Sequence, residues 1–203
     1  MSVRPKALLF DLGGVVIDID FTRVFRVWAE HAGCEVGHIR GRFRMDDLYK
    51  DHETGRITAA EFFAGLKRTL DVDLNFAQFL EGWNALFVGE VTGIAHALKL
   101  AAKHFPLYAF SNTNEAHRAF MYDRYAEILG YFQTVFVSSS MGVRKPESEA
   151  FHRVVKEMGC RPSEILFFDD TLENIEGAKE CALQVVHVRG IKDVIGELNA
   201  RIA

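Results

Sequence analysis

Short runs of consecutive apolar residues recur along the chain, separated by segments with helical periodicity. The runs occupy residues 7–10, 107–110, 134–137, 165–168 and 185–188. They are continuous rather than alternating, which is typical of strands buried on both faces, as in a parallel sheet. Between the later runs, apolar residues recur at helical spacing; Pro146 is placed to open one such helix and Gly159 to end it. Strands alternating with helices predict a doubly wound, Rossmann-like α/β fold.

One long interval, residues 18–88, breaks this rhythm, because it shows helical patterns and no convincing buried strand. Its aromatic-rich stripes recur at helical spacing and include Phe21, Val24, Phe25 and Trp28; Phe62, Phe63, Leu66 and Leu70; and Phe79, Trp83 and Phe87. Most of these side chains are expected to pack in a core. Trp28 and Tyr49 could instead face a ligand, but core packing is favoured for both. The sequence predicts an α/β core from residues 1–17 and 89–203, with a helical insert, residues 18–88, after the first strand.

Composition and charge narrow the class of protein. The chain has 203 residues, 49% of them hydrophobic, and a net charge of −4, which gives no basic field for a nucleic-acid partner. No segment reaches the length of a membrane span, and the first apolar run is too short for a signal sequence. The three cysteines are widely spaced without a CxxC pair. This pattern disfavours disulfides and zinc, so we expect a cytoplasmic protein.

Polar side chains follow four of the apolar runs where each run ends. Asp11 follows the first, Ser111 the second, Ser138 the third and the pair Asp169–Asp170 the fourth, while Lys145 lies on the loop after the third run. Ligands of open parallel sheets bind beyond the carboxyl ends of the strands, so we expect these side chains to converge. A single Asp there could be a helix cap. That explanation does not extend to the whole set.

The chemistry of this set suits phosphoryl transfer. A carboxylate attacks a phosphate ester only where positive charge offsets their repulsion. Asp11 and Asp170 offer the oxygen ligands that Mg²⁺ prefers, and Lys145 adds a fixed positive charge. The Ser111 hydroxyl can donate to a non-bridging phosphate oxygen. Asp11 is then the candidate nucleophile, forming an aspartyl-phosphate.

Four motifs in these positions resemble the haloacid dehalogenase (HAD) superfamily. They are residues 10–15 (FDLGGV), 110–112 (FSN), 144–146 (RKP) and 168–174 (FDDTLEN). Each is short and weak alone, but the four in this order are highly specific, and the resemblance spans residues 8–188. It implies that the helical insert is the family's cap. Residues 11–18, 111–114 and 52–55 look closest to a bacterial α-D-glucose-1-phosphate phosphatase branch.

The resemblance implies that magnesium is held by Asp11, Asp170 and the backbone carbonyl of Gly13. It also exposes a departure, because most phosphatases of the superfamily carry at the position of Gly13 an Asp that protonates the leaving group. General acid–base catalysis contributes about 10²–10⁴-fold to rates. Three outcomes stay open: a substrate with a good leaving group, such as an anomeric sugar phosphate, which we favour; a proton supplied by His52 or Glu53 of the insert; or very slow turnover.

The supporting residues have more than one interpretation. Asp169 either binds the metal, directly or through water, or orients Asp170, and Asn174 either supports the metal loop or belongs to the first turn of the next helix. Asn112 either offers its backbone N–H to phosphate or is a turn residue. The histidines show no metal-ligand spacing; His52 is the one proposed to contact substrate.

The function predicted is a magnesium-dependent phosphatase of a small phosphorylated metabolite, such as a sugar phosphate like glucose 1-phosphate. A 2-haloacid dehalogenase also uses an Asp nucleophile and lacks the second Asp, but it needs no metal, and the acidic pair Asp169–Asp170 argues against it. A phosphate-binding protein without turnover is the third alternative, supported by Gly13. The sequence does not predict the oligomeric state.

Overall fold

The computed structural model describes residues 4–202, and its strands match the apolar runs. Within the described residues the strands are β1 (Ala7–Phe10), β2 (Ile17–Ile19), β3 (Phe87–Glu90), β4 (Leu107–Ser111), β5 (Thr134–Val137), β6 (Ile165–Asp169) and β7 (Gln184–His187). Five of them form one parallel sheet in the order β5–β4–β1–β6–β7. All five predicted strands are therefore present. The central strand is β1, and the chain turns to opposite sides of it, which makes its carboxyl end a switch point for ligand binding.

Helices connect these strands. They are α1 (Phe21–Ala32), α2 (Val36–Arg42), α3 (Asp47–Glu53), α4 (Ala59–Leu70), α5 (Phe76–Asn84), α6 (Ile94–Ala101), α7 (Glu115–Arg124), α8 (Ala126–Leu129), α9 (Ser138–Met141), α10 (Ser148–Met158), α11 (Leu172–Glu180) and α12 (Ile191–Ile202), with a 3-10 turn at Pro162–Glu164. Gly159 ends α10 in a left-handed conformation, as predicted, but α10 begins at Ser148, two residues after Pro146. None of the helices in residues 4–202 combines the length and apolar character needed to cross a bilayer.

Both faces of the parallel sheet are buried. Along β1, Leu8 and Phe10 belong to one apolar cluster and Ala7 and Leu9 to a second. Successive side chains of a strand point to opposite faces, so each cluster covers one face. This arrangement explains why the strands appear as continuous apolar runs and confirms the predicted doubly wound α/β fold.

The interval 18–88 contains α1 to α5, packed around stacked aromatic rings. The rings of Trp28 and Trp83 are stacked with centroids 5.8 Å apart. Gly82 permits this contact, because a Cβ there would lie 2.2 Å from Trp28 Cδ1. These side chains share one continuous cluster with a face of the parallel sheet. The division of the chain into a core and a separate cap domain stays a prediction.

A short antiparallel pair, β2 with β3, joins the two ends of this interval and is not predicted by the hydrophobic pattern. Ile17 pairs with Glu90, and the register shifts after Asp18. Each strand has only three or four residues and is partly exposed. Such strands lack the continuous apolar run by which the buried strands are recognised.

Candidate active site

The carboxyl ends of β1, β4 and β6 bring the predicted polar residues together around Lys145. Its Nζ donates to Asp11 Oδ1 at 2.8 Å, to Asp169 Oδ2 at 2.7 Å and to the carbonyl oxygen of Phe110 at 2.8 Å. The side chain is 1% exposed. All three ammonium donors are therefore used in a buried position, and one amine fixes the ends of three neighbouring strands relative to one another.

The charge of Lys145 is maintained by its partners. Burial acts to lower the pKa of its ammonium, but the carboxylates of Asp11 and Asp169 outweigh that effect and raise the pKa above its ordinary value. The side chain of Asn112 fixes the lysine backbone from both sides. Its Nδ2 donates to the Lys145 carbonyl oxygen at 2.9 Å, and its Oδ1 accepts from the Lys145 N–H at 2.9 Å. Asn112 is thus a positioning residue for Lys145.

Three carboxylates lie together beside this lysine. Asp11, Asp169 and Asp170 each offer an oxygen, and these oxygens lie within 4.8 Å of one another. Burial raises the pKa of Asp11 to about 7, against the opposing effect of Lys145. Burial, and then the neighbouring charge of Asp169, also raises the pKa of Asp170. One ammonium does not balance three carboxylates, and hard oxygen ligands of this kind suit a divalent cation such as Mg²⁺.

Asp169 has a different environment from the other two acids. It is 0% exposed, and its oxygens accept from Lys145 Nζ, from the Thr171 N–H at 2.8 Å and from Asn174 Nδ2 at 3.1 Å. These partners satisfy both oxygens within the protein. The arrangement favours a positioning role for Asp169 over direct metal binding, and it assigns Asn174 to holding Asp169.

Gly13 and Gly14 of the first motif differ in whether the structure requires a glycine at that position. Gly14 has φ +77°, and a Cβ there would lie 2.2 Å from Asp170 Oδ2, so only glycine lets the Asp170 carboxylate approach this turn. Among residues 4–202, a Cβ at Gly13 would meet the side chain of Ile19 alone, with Cδ1 at 3.2 Å. Neither the backbone conformation nor a rigid neighbour in this part of the chain requires a glycine at position 13.

A cavity of about 530 Å³ opens over these groups, between the sheet and the helical insert. The predicted residues Asp11, Gly13, Ser111, Asn112, Lys145 and Asp170 line it on the sheet side. Tyr49, Lys50 and Glu53 of α3 line the opposite wall, with Met45 just before that helix. Arg144 also lines it and donates from Nε to Glu53 Oε2 at 2.9 Å. The sequence pattern did not single out Arg144, although it directly precedes Lys145 in the third motif.

Trp28 and Ser138 lie outside the cavity lining. Trp28 packs in the insert, where its Nε1 donates to the Phe79 carbonyl oxygen at 3.0 Å. Ser138 is buried at the start of α9 and donates from Oγ to the Glu53 carbonyl oxygen at 2.7 Å. Ser138 therefore links the sheet to the insert.

His52, predicted to contact substrate, is buried within the insert instead. It is 3% exposed, its ring stacks on Phe62 with centroids 4.3 Å apart, and neither ring nitrogen has a hydrogen-bond partner among the described residues. Burial lowers the pKa of His52 to about 4. The ring is therefore a neutral packing group at ordinary pH, and the geometry does not bring it to the site.

A sequence profile described as haloacid dehalogenase-like hydrolase matches residues 5–182. The chain belongs to this family. The predicted HAD resemblance is thereby confirmed, and with it the hydrolase class. A D-ribitol-5-phosphate phosphatase of Bacteroides thetaiotaomicron is similar, with 25% identity over 88% of this chain and 89% of the relative.

Solved structures of HAD proteins share the fold. A HAD-family enzyme of B. thetaiotaomicron, in complex with magnesium and inorganic phosphate, is 29% identical and superposes with a TM-score of 0.79 over 92% of this chain and 95% of its own. An L-2-haloacid dehalogenase of Xanthobacter autotrophicus is 21% identical, with a TM-score of 0.69 over 91% and 77% of the two chains. At that identity the likeness concerns the fold alone.

Proposed function

We propose that this hydrolase is a magnesium-dependent phosphatase of a small phosphorylated metabolite, acting through an aspartyl-phosphate on Asp11. The observation that carries the proposal is the Lys145 ammonium, hydrogen-bonded to Asp11 and Asp169 beside Asp170 at the floor of the cavity. A phosphatase relative and a magnesium–phosphate complex of a similar protein support it.

In the proposed reaction the Asp11 carboxylate attacks phosphorus, and the bond from phosphorus to the leaving oxygen breaks. Lys145 compensates the charge gathered by the phosphoryl group and the carboxylate, and Ser111 donates its hydroxyl proton to a non-bridging phosphate oxygen. Asp11, Asp170 and the Gly13 carbonyl would hold Mg²⁺. The ion would supply positive charge between the phosphate and the carboxylates. Water then hydrolyses the acyl phosphate and restores Asp11.

A sugar or sugar-alcohol phosphate is the substrate class we propose. A volume of about 530 Å³ suits one small metabolite. Arg144 and Lys50 also line the cavity and offer charged partners for the hydroxyl groups of such a substrate. The D-ribitol-5-phosphate phosphatase relative supports a phosphorylated polyol. The glucose 1-phosphate branch stays a prediction.

The dehalogenase alternative is weaker. A dehalogenase has no need of a cation, whereas the three clustered carboxylates leave negative charge that one lysine does not balance. The alternative of a phosphate-binding protein without turnover is disfavoured by the hydrogen bonds of Lys145 to Asp11 and Asp169. A site that only binds phosphate would not need these carboxylates.

Phosphate release from a panel of phosphorylated metabolites tests the proposal. The panel includes D-ribitol 5-phosphate, glucose 1-phosphate and p-nitrophenyl phosphate, each with Mg²⁺ and after chelation. We expect Asp11→Asn to abolish release without changing the melting temperature greatly, while Asp123→Asn, on the exposed face of α7, retains it. Full activity of Asp11→Asn would refute the nucleophile. Chloride release from 2-chloropropionate after chelation would establish the dehalogenase.

A further inference from the structure

We infer that Glu53 is the general acid and base of this reaction, in place of the carboxyl that position 13 lacks. The inference rests on the proposed phosphatase function and deepens it. Glu53 is the last residue of α3, and it lines the cavity that Asp11 and Lys145 also line. Attack by Asp11 from the sheet expels the leaving oxygen in line, away from the sheet and towards the insert that carries Glu53.

The choice of Glu53 follows from the acids that line the cavity in the described part of the chain. They are Asp11, Glu53, Asp170 and Glu173. Asp11 and Asp170 already serve as nucleophile and metal ligand. Glu173 is exposed in the first turn of α11, which follows β6, whereas Glu53 is buried at the end of α3 in the insert.

His117 also lines the cavity but is not available for proton transfer. Its Nε2 bonds the Trp83 carbonyl oxygen at 2.9 Å, and its Nδ1 bonds Asn114 Nδ2 at 3.2 Å. Burial lowers the pKa of His117 to about 3. Both ring nitrogens are occupied and the ring stays neutral. His117 therefore supports the wall and carries no proton to the substrate.

The backbone of Glu53 is fixed to the sheet rather than to the insert alone. Ser138 Oγ donates to the Glu53 carbonyl oxygen at 2.7 Å and accepts from the Thr113 N–H at 2.8 Å. Two residues later, Gly55 has φ +68°, and a Cβ there would lie 2.4 Å from the Ser139 carbonyl oxygen. These contacts hold the end of α3 against the loop that follows β4 and against the start of α9, so Glu53 keeps its place relative to Ser111.

The surroundings of the Glu53 carboxyl allow it to hold a proton and to release it. The residue is 5% exposed, and burial raises the pKa of its carboxyl, against the opposing effects of Arg144, Tyr49 and Lys145. A phosphate dianion in the cavity would raise that pKa further. Once the proton has left, the carboxylate is stabilised by Arg144 Nε at 2.9 Å and by the Tyr49 hydroxyl.

The proton balance closes over two steps. In the first, the Asp11–phosphorus bond forms, the bond to the leaving oxygen breaks, and that oxygen takes the proton of Glu53 to leave as an alcohol. In the second, the Glu53 carboxylate takes a proton from water as the water oxygen bonds to phosphorus and the Asp11–phosphorus bond breaks. Glu53 is then protonated again, and the net products are alcohol and hydrogen phosphate.

The test is a Glu53→Gln variant assayed on two substrates that differ in their leaving group. Gln is chosen because it keeps the size of the side chain and a hydrogen-bond acceptor for Arg144. The probes are p-nitrophenyl phosphate, whose phenolate leaves without a proton, and the best alkyl phosphate of the panel. Because kcat/KM covers only the steps up to the aspartyl-phosphate, we expect kcat/KM on the alkyl phosphate to fall by about 10²–10⁴-fold. On p-nitrophenyl phosphate kcat/KM should fall by less than about tenfold, although kcat falls there too, because hydrolysis of the aspartyl-phosphate loses its general base. Glu149→Gln removes a similar carboxyl, paired with Arg153 on α10, and should change neither rate.

The pH profile of the unmodified enzyme gives a second reading that does not depend on the variant folding. With the alkyl phosphate, kcat/KM should fall at high pH as Glu53 loses its proton, and with p-nitrophenyl phosphate this fall should be absent. Equal losses of kcat/KM on the two probes would overturn the inference in favour of a role in positioning Arg144. A leaving-group-dependent loss in Glu173→Gln instead would also overturn it. Undiminished release by Asp11→Asn would refute the proposed function itself.

Discussion

The buried ring of His52 makes a quantitative prediction about stability and pH. Replacing it by Phe keeps a planar ring against Phe62 and removes two nitrogens that have no hydrogen-bond partner among the described residues. A buried unsatisfied polar group costs about 1–3 kcal/mol. We therefore expect His52→Phe to raise the free energy of unfolding by about 1 kcal/mol or more near neutral pH.

The larger effect appears in acid. Burial lowers the pKa of His52 from 6.5 to about 4, so below pH 6.5 the unfolded chain takes up a proton that the folded protein refuses. The contribution of neutral His52 to the free energy of unfolding is therefore present in full above pH 6.5, and it is lost as the pH falls from 6.5 towards 4. At about 1.4 kcal/mol per pH unit, the loss reaches about 3 kcal/mol.

Urea unfolding of both proteins at about pH 7.5 and about pH 4.5 measures this difference. Contributions of other groups cancel between wild type and variant, including that of His117, whose pKa is lowered to about 3 by burial. The advantage of His52→Phe should grow by about 2–3 kcal/mol at the lower pH. An equal difference in the free energy of unfolding between wild type and variant at both pH values would refute the neutral, buried state of the ring. Loss of phosphate release in this variant would return His52 to the active site.

Three further substitutions test the site and its supports. Lys145→Met should abolish phosphate release and lower the free energy of unfolding by about 3–5 kcal/mol in urea, because it leaves buried carboxylates uncompensated. Gly13→Asp introduces a Cβ that meets one flexible side chain at 3.2 Å. Added to the Glu53→Gln variant, it should raise the rate on the alkyl phosphate about tenfold or more above that of Glu53→Gln alone. Gly55→Ala should destabilise the protein by more than Gly33→Ala. Both have positive φ, but only the first meets backbone within 4 Å, and equal melting temperatures would contradict this.

The parallel sheet and its carboxyl edge are predictable from the sequence because they rest on local signals. Each strand is a continuous apolar run, and Asp11, Ser111 and Asp170 directly follow the runs that place them. Parallel pairing then brings the ends together without further information. Lys145 is placed by its motif, and its buried network follows from that position.

The opposite wall of the cavity is not predictable in the same way. His52 and Glu53 are adjacent in the sequence, yet one packs against Phe62 and the other faces the cavity. The orientation of α3 decides which of the two side chains faces the cavity. That orientation depends on the contact of Gly55 with the Ser139 backbone and on the hydrogen bond between Ser138 and Glu53, which are 85 positions apart. No periodic pattern encodes contacts of this kind.

The Ser138 hydroxyl has a consequence for how the enzyme takes in and releases small molecules. The insert is attached at the β2–β3 pair and again at the end of α3, so a swing of the whole insert would have to break a buried tether at each turnover. Exchange is instead expected past the rim near Met45, which is 55% exposed. Product release would then depend on the rearrangement of side chains at this rim and not on the slower movement of the insert relative to the sheet.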